Sequence, residues 1–396
     1  MMERNDKSIA KGKCKTMKLG QLASFINGYP FKPSEWKEKG IPIIRIQNLN
    51  NDQAPYNYYD EGLPSKYIIE SGDILISWSG SLGVFEWTKS KAYLNQHIFK
   101  VIFDKEEINK RFFQYAVESS LTEMSKHLHG ATMKHIVKRD FINLPIPVPP
   151  LPVQARIVDE LDCLQGILSK KRQQLAEYHS LAQAIFHQMF GDPVVNEKGW
   201  EVKKWKELFD TKLGKMLDRS QHTSSQKQYP YLANTNVQWG YFDLSDLRTM
   251  PFSDEELIKY DLEENDLLIC EGGESGRCAI WHNKYSNQNI LFQKAIHRAR
   301  IKKANTVDIT YISYFIRYSK ELGGLKDYIS KSTIEHLTGE KLKSLPIPLP
   351  PLPLQQSFAA RIAAIDSQRE RLAASIRELE TLFACRMETL LNCPQA

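Results

Sequence analysis

Apolar residues fall along this chain in two distinct periods. Short runs at Ile41–Ile46, Asp73–Trp78 and Ile98–Phe103 are rich in β-branched residues and bounded by Gly, Asn and Asp, which predicts strands. Patches at Glu106–Glu118 and Val307–Tyr318 carry the longer period of helices. The longest helical pattern comes twice. It runs through Ile157, Leu161, Leu164, Leu168, Leu175, Tyr178, Leu181, Ile185 and Met189, then again through Phe358, Ile362, Ile365, Leu372, Ile376, Leu379, Phe383, Met387 and Leu390. Spacings of three, four and seven mark a single narrow stripe on each helix. Each helix is predicted at about 36 residues, roughly 55 Å long. Gly191, with Pro193 just beyond, is a stop signal for the first. A narrow apolar stripe on so long a helix needs a partner. The first helix ends where the second half of the chain begins, and the second helix leaves that half, so pairing requires them to run antiparallel.

A proline string precedes each helix. Residues 144–154 read LPIPVPPLPVQ and residues 345–355 read LPIPLPPLPLQ, identical at nine of eleven positions at an offset of 201. The same offset joins Thr132 and His135 to Thr333 and His336. Upstream the offset drifts. It is 186 between Gly28 and Gly214, 188 between residues 42–48 and 230–236, and 193 between GDILISWSGSLG (72–83) and NDLLICEGGESG (265–276). The chain is therefore a duplication whose second copy carries short insertions. Between the anchors the side chains differ widely, so one scaffold bears two different surfaces. Proline fixes φ and lacks an N–H, so the strings are expected as stiff polyproline II lead-ins that cannot themselves be helical. The predicted architecture is duplicated α/β (α+β). Two globular modules, 1–153 and 192–354, are joined by two long antiparallel coiled-coil helices, 154–191 and 355–396, about a pseudo-two-fold axis.

Composition narrows the class. At 396 residues the chain exceeds one typical domain, and its 42% hydrophobic and 25% charged content is that of a globular protein. No uninterrupted apolar run approaches the roughly 20 residues of a membrane-spanning helix. The N-terminal segment lacks the apolar core of a secretory signal, so a cytoplasmic location with no membrane contact is expected. The six cysteines contain no C-x-x-C pair and are read as reduced thiols, with no metal site. Net charge is +6. Residues 1–153 hold 21 Lys and Arg against 16 Asp and Glu, residues 191–354 hold 23 against 22, and the two helical segments are neutral. The excess favours an anionic partner for the first module.

Catalytic signatures are absent from the sequence. There is no G-x-x-x-x-G-K-[ST] loop for ATP and no Asn- or Asp-Pro-Pro-aromatic motif of an adenine methyltransferase. Asp192 with Glu201-Val202-Lys203 imitates a nuclease D…E-x-K set, but Glu35-Trp36-Lys37 illustrates how cheaply E-x-K arises. The expectation is a binding protein with no catalytic residue and no cofactor of its own.

Together, the paired proline strings feeding long helices, the G-D-I-L-I-S…G-S-L-G run and the Thr-to-His loop before each string resemble the specificity subunits of type I restriction–modification systems, the HsdS family. The family's string usually ends Pro-Pro-Leu-x-Glu-Gln. Here Val153-Gln154 and Leu354-Gln355 keep the Gln and lack the Glu. The resemblance spans the whole chain, and the duplicated arrangement carries it. It implies two target-recognition domains that each read half of a split, asymmetric site in double-stranded DNA. It implies helices that set the spacer and dock methyltransferase (modification) subunits, usually two. Those subunits use S-adenosylmethionine on adenines, and restriction/translocase subunits add ATP and Mg. Two other readings stand beside this one: a free-standing DNA-binding regulator, and a scaffold whose Pro-rich strings are docked by aromatic grooves.

Base edges are read by Arg at guanine and by Asn or Gln at adenine. Arg45, Gln47 and Asn48 in the first module, and Asn234, Thr235 and Asn236 in the second, supply such groups after a strand; exposed strand-end residues are the alternative. The turns around Ser79 and Ser81, and around Arg277, let backbone approach a phosphate or serve simply as turns. Thr132, Lys134 and His135, with Thr333 and His336, lie in polar loops suited to phosphate positioning; the recurring His could equally be a scaffold residue.

Overall fold

The structure is a computed structural model that describes residues 14–51, 53–127, 138–216, 227–283, 285, 289–331 and 335–392. Its described residues form two compact units, and the division falls inside the long helices. One unit holds the residues up to Arg172 and those from Ala374 onward; the other is Gln173–Ala373.

In the first unit a four-stranded antiparallel sheet has the order Ser24–Asn27, Ile98–Ile102, Ile74–Ser77, Gly83–Glu86. A second sheet orders Asn57–Tyr59, Ile41–Ile44, Ala92–Leu94 and Ile68–Ile69, with its middle pair parallel. The second unit repeats the plan. Phe209–Leu213, Ile296–Ile301, Leu267–Cys270 and Cys278–Ile280 form one sheet, and Arg248–Pro251, Gln228–Leu232 and Leu291–Phe292 another, again with a parallel pair. The matched anchors hold equivalent places. A Cβ on Gly28 would lie 2.2 Å from the Asn95 carbonyl oxygen, and one on Gly214 2.3 Å from that of Gln293, so both positions admit only glycine.

The proline strings differ from expectation. Pro145–Val148 is a strand paired antiparallel with Lys15–Lys18, and Pro346–Leu349 pairs likewise with Glu201–Lys204. Prolines occupy alternate positions, so every missing N–H falls on the same edge of the strand, while Ile146, Val148, Ile347 and Leu349 keep theirs. Polyproline dihedrals lie within the broad β region, and an available partner strand turns the stiff segment into a ribbon. Ile146 and Ile347 are fully buried, which removes the strings as exposed ligands for an aromatic groove.

The helices also begin earlier than expected. They span Leu151–Phe190 and Leu352–Leu391, 40 residues each, and so include Pro152 and Pro353. A proline in the first turn removes an N–H that has no intrahelical acceptor there. Gly191 ends the first helix at φ +79°, as its position predicts. Each module also has a helix of its own, at Lys110–His127 and Ile309–Glu321. Strand Ile41–Ile44 stops short of the expected Ile46, because Ile46–Asn50 is a turn of helix.

Contacts inside each unit fix the helix direction. In the first, Arg386 near the end of the second long helix forms a bidentate pair with Glu160 near the start of the first. In the second, Phe186 and Phe190 near the end of the first helix meet Phe358 near the start of the second, with ring centroids 5.6 and 5.2 Å apart. The helices run antiparallel. Their buried stripe uses Ile157, Leu161, Leu168, Ala182, Phe186 and Phe190 on the first helix. Leu181, expected on that stripe, is 46% exposed and its place is taken by Ala182. Each stripe also packs on its module, in cores that include Phe112, Phe113 and Phe141 in one unit and Tyr311, Phe315 and Ile316 in the other.

Two glutamines lock helix to module. Gln154 Oε1 accepts from the Asn109 amide at 2.9 Å while its Nε2 donates to the Pro149 carbonyl at 2.7 Å. Gln355 makes the same pair of bonds with Asp308 (2.9 Å) and Pro350 (2.6 Å). Both side chains are buried, at 1% and 0% exposure. Each bridges the proline string, the start of a long helix and the N-cap of the module helix.

Candidate nucleic-acid interface

The second unit gathers three separate loops. Strand Gln228–Leu232 delivers Asn234, strand Leu267–Cys270 delivers the turn 271–277, and the short strand Glu335–His336 lies against that turn through a bridge between Gly272 and His336. Asn234 Nδ2 donates to the Gly272 carbonyl at 3.0 Å, and Arg277 donates to the Asn234 carbonyl at 2.6 Å. Arg277 also reaches Glu274 at 3.2 Å, and the Trp239 indole donates to the same carboxylate at 2.6 Å. The cluster thus leaves Thr235, Gly273, Glu274 and His336 exposed on a braced frame. Arg277 acts mainly as the brace, because its guanidinium is committed internally and only 16% exposed.

Two expected readers prove structural. Asn48 and Asn236 are buried, at 2% and 4% exposure. Asn48 accepts from the Arg45 amide (3.1 Å) and donates to the carbonyls of Ala54 and Pro55 (3.2 Å each). Asn236 accepts from the Ala233 amide (2.8 Å) and donates to Asp243 and Asp246 (2.9 and 3.2 Å). Their amides hold the turn that follows the strand and present nothing to a duplex. The residue before each, Gln47 or Thr235, is the one turned outward.

In the first unit Arg45 lies over the Trp36 ring at 5.0 Å, and Gln47 reaches the Pro55 carbonyl at 3.4 Å. These partners lie within residues 36–55, whereas Asn234 is joined directly to its glycine turn. That turn is held from below by Ser77, whose hydroxyl donates to the Ser81 carbonyl at 2.6 Å and leaves Ser81 exposed and Ser79 half-buried. Thr132, Lys134, His135 and Thr333 lie outside the described residues.

Titratable chemistry is muted here. Burial pushes the Cys270 thiol up to about 11 and Cys278 up to about 12, so both are neutral. Cys163, Cys270, Cys278 and Cys385 are free thiols. Burial holds His297 below its ordinary pKa despite its bond to the Leu337 carbonyl at 3.0 Å. Among the described residues no group of three His, Cys, Asp or Glu could hold a metal, and no helix is long and apolar enough to cross a membrane.

Gln154 and Gln355 were legible only as part of the repeated string. The repeat at a fixed offset marks them, but nothing in the sequence says that a buried amide joins three elements there.

Duplicated mixed modules, each locked to a long antiparallel helix, define a two-module protein whose second unit braces three loops into one cluster. The profile of the type I restriction modification DNA specificity domain matches twice, at residues 11–178 and 197–381, and the chain belongs to that family. It is similar to the type I restriction enzyme MjaVIII specificity subunit of Methanocaldococcus jannaschii, 23% identical over 382 residues, covering 89% of this chain and 88% of that one. The EcoBI specificity subunit of Escherichia coli matches at 28% over a shorter 161 residues, 40% of this chain and 34% of that one. In fold it resembles the type I restriction–modification S subunit from M. genitalium, with TM-score 0.52, 16% identity and coverage of 98% of this chain and 97% of that one. A chain from a structure of type I R-M complex assembly and conformational transition gives TM-score 0.60 at 17% identity, covering 96% and 98%.

Proposed function

We propose that this chain reads a bipartite, asymmetric site in double-stranded DNA and directs the modification and restriction subunits of a type I complex to it. One observation carries the reading. Two copies of one scaffold place their outward loops at equivalent positions, Gln47 with Ser81 and Thr235 with Glu274, yet with different chemistry. Matching frames suit two half-sites on one duplex, and unlike loops suit unlike sequences. Glu274 is held by two donors and half exposed, which fits acceptance from a cytosine N4 amino group. Arg45, Ser79, Asn234 and Arg277 support the reading surface. Thr132, Lys134 and His135, with Thr333 and His336, are assigned to phosphate positioning.

Catalysis is assigned to partner subunits. Two methyltransferase subunits using S-adenosylmethionine would dock on the helices and methylate adenine N6, and ATP- and Mg-dependent translocase subunits would complete the enzyme. The test is single-molecule methylation sequencing of a host with and without the gene. A bipartite adenine-methylated motif that vanishes with the gene is expected. Its persistence, or the absence of such a motif, overturns the reading.

A further inference from the structure

The two copies differ where the helix of each module meets its long helix. In the first unit Arg111, two residues past the N-cap Asn109, crosses from helix Lys110–His127 to the long helix. Its guanidinium donates to Asp162 (2.8 Å), Gln165 (2.9 Å), Gln114 (3.1 Å) and the Tyr115 hydroxyl (3.1 Å). The second unit has the same frame. Asp308 caps the equivalent helix and takes the same glutamine bond, so Thr310 stands where Arg111 does, Ser313 for Gln114 and Tyr314 for Tyr115. At the offset of the proline strings, Ala363 stands for Asp162 and Asp366 for Gln165. Smaller residues replace the arginine and its main acceptor, and both line a cavity of about 220 Å³ between helix Ile309–Glu321, the second long helix and Trp239.

We infer that this cavity binds a guanidinium group, seated as Arg111 is seated in the first copy. The acceptors that remain are the Asp366 carboxylate and the hydroxyls of Thr310, Ser313 and Tyr314, all in the cavity wall. Two wall arginines are already paired, Arg369 with Asp366 at 3.0 Å and Arg317 with Glu321 at 3.3 Å. Asp366 takes Arg369 on one oxygen, and among the described residues its other oxygen accepts no hydrogen bond. The Asp366 side chain is 48% exposed, so that second oxygen is open to a ligand from solvent. A planar donor fork matches a carboxylate better than an ammonium does. The site shares Trp239 with the loop cluster, whose Glu274 accepts from the indole, but Asp366 lies outside that cluster and the site can be tested without DNA.

The test titrates the full chain, labelled with 15N-tryptophan, with N-acetyl-L-arginine amide and follows the Trp239 indole signal, assigned with Trp239→Phe. Saturable movement is expected, with the lysine analogue at least tenfold weaker. Asp366→Asn is expected to lose the response. Thr310→Arg with Ala363→Asp, which rebuilds the clamp of the first copy, is expected to lose it too while raising Tm. Free L-arginine distinguishes sources: stronger binding than the blocked amide points to the free amino acid, weaker binding to a protein side chain. Equal response to lysine, no movement up to tens of millimolar, or an undiminished response in Asp366→Asn overturns the inference. Because Asp366→Asn changes no packing volume, the test survives if the double variant fails to fold.

Discussion

Replacing Gln355 with Met separates hydrogen bonding from packing at the joint between the second module and its long helix. Met keeps the length and nearly the volume of Gln, so little cavity energy enters. What disappears is one bond to the Asp308 amide and one to the Pro350 carbonyl, both formed by a fully buried side chain. Each backbone group left without that partner costs about 1–3 kcal/mol. The thioether recovers part of this, because it no longer desolvates an amide. A net loss of about 2–4 kcal/mol is expected. Urea denaturation followed by tryptophan fluorescence reads it as a lower midpoint at unchanged slope. Gln154→Met repeats the chemistry in the other unit, and the two losses are expected to add within about 0.5 kcal/mol because they share no partner. A loss below about 0.5 kcal/mol in both single variants would refute the lock, since the strand ribbon and helix packing alone would then be holding each module.

Adjacent residues in the second module are expected to part company. Asn236→Ala, which removes three bonds of a buried amide, should cost about 2–4 kcal/mol in thermal unfolding. Thr235→Val should stay within about 0.5 kcal/mol yet alter only one half of the methylated motif. Thiol labelling followed by peptide mapping should modify the exposed Cys163 and Cys385 quickly, and Cys270 and Cys278 only after unfolding. For His297 the folded pKa lies below the unfolded value of 6.5, so its stabilising effect is complete above pH 6.5 and fades as pH falls from there through the lowered folded value. His297→Gln should flatten that part of the stability profile; an unchanged slope would assign it to another group.

The parts of the fold written as repetition were readable in advance, and those written as pairing were not. The offset of 201 located both long helices, and the drifted offset of 186 paired Gly28 with Gly214 before any reason for that glycine was visible. The proline strings misled because single-chain propensity describes a segment without its neighbour. Alternating prolines are indifferent between an isolated polyproline turn and one edge of a ribbon, and only Lys15–Lys18 and Glu201–Lys204 decide between them. The same limit applies at Asn48 and Asn236. An amide that matches an adenine edge also matches the backbone of its own turn, and the turn is nearer. Had the copies been compared for that ambiguity, the shared Asn would have pointed to scaffold, while the unlike residues beside it, Gln47 and Thr235, would have pointed outward. In a duplicated reader, sameness marks what holds the frame and difference marks what the frame is for. Arg111 against Thr310 is the instructive exception: a difference at the joint between module and long helix, away from the outward loops where a change of specificity belongs.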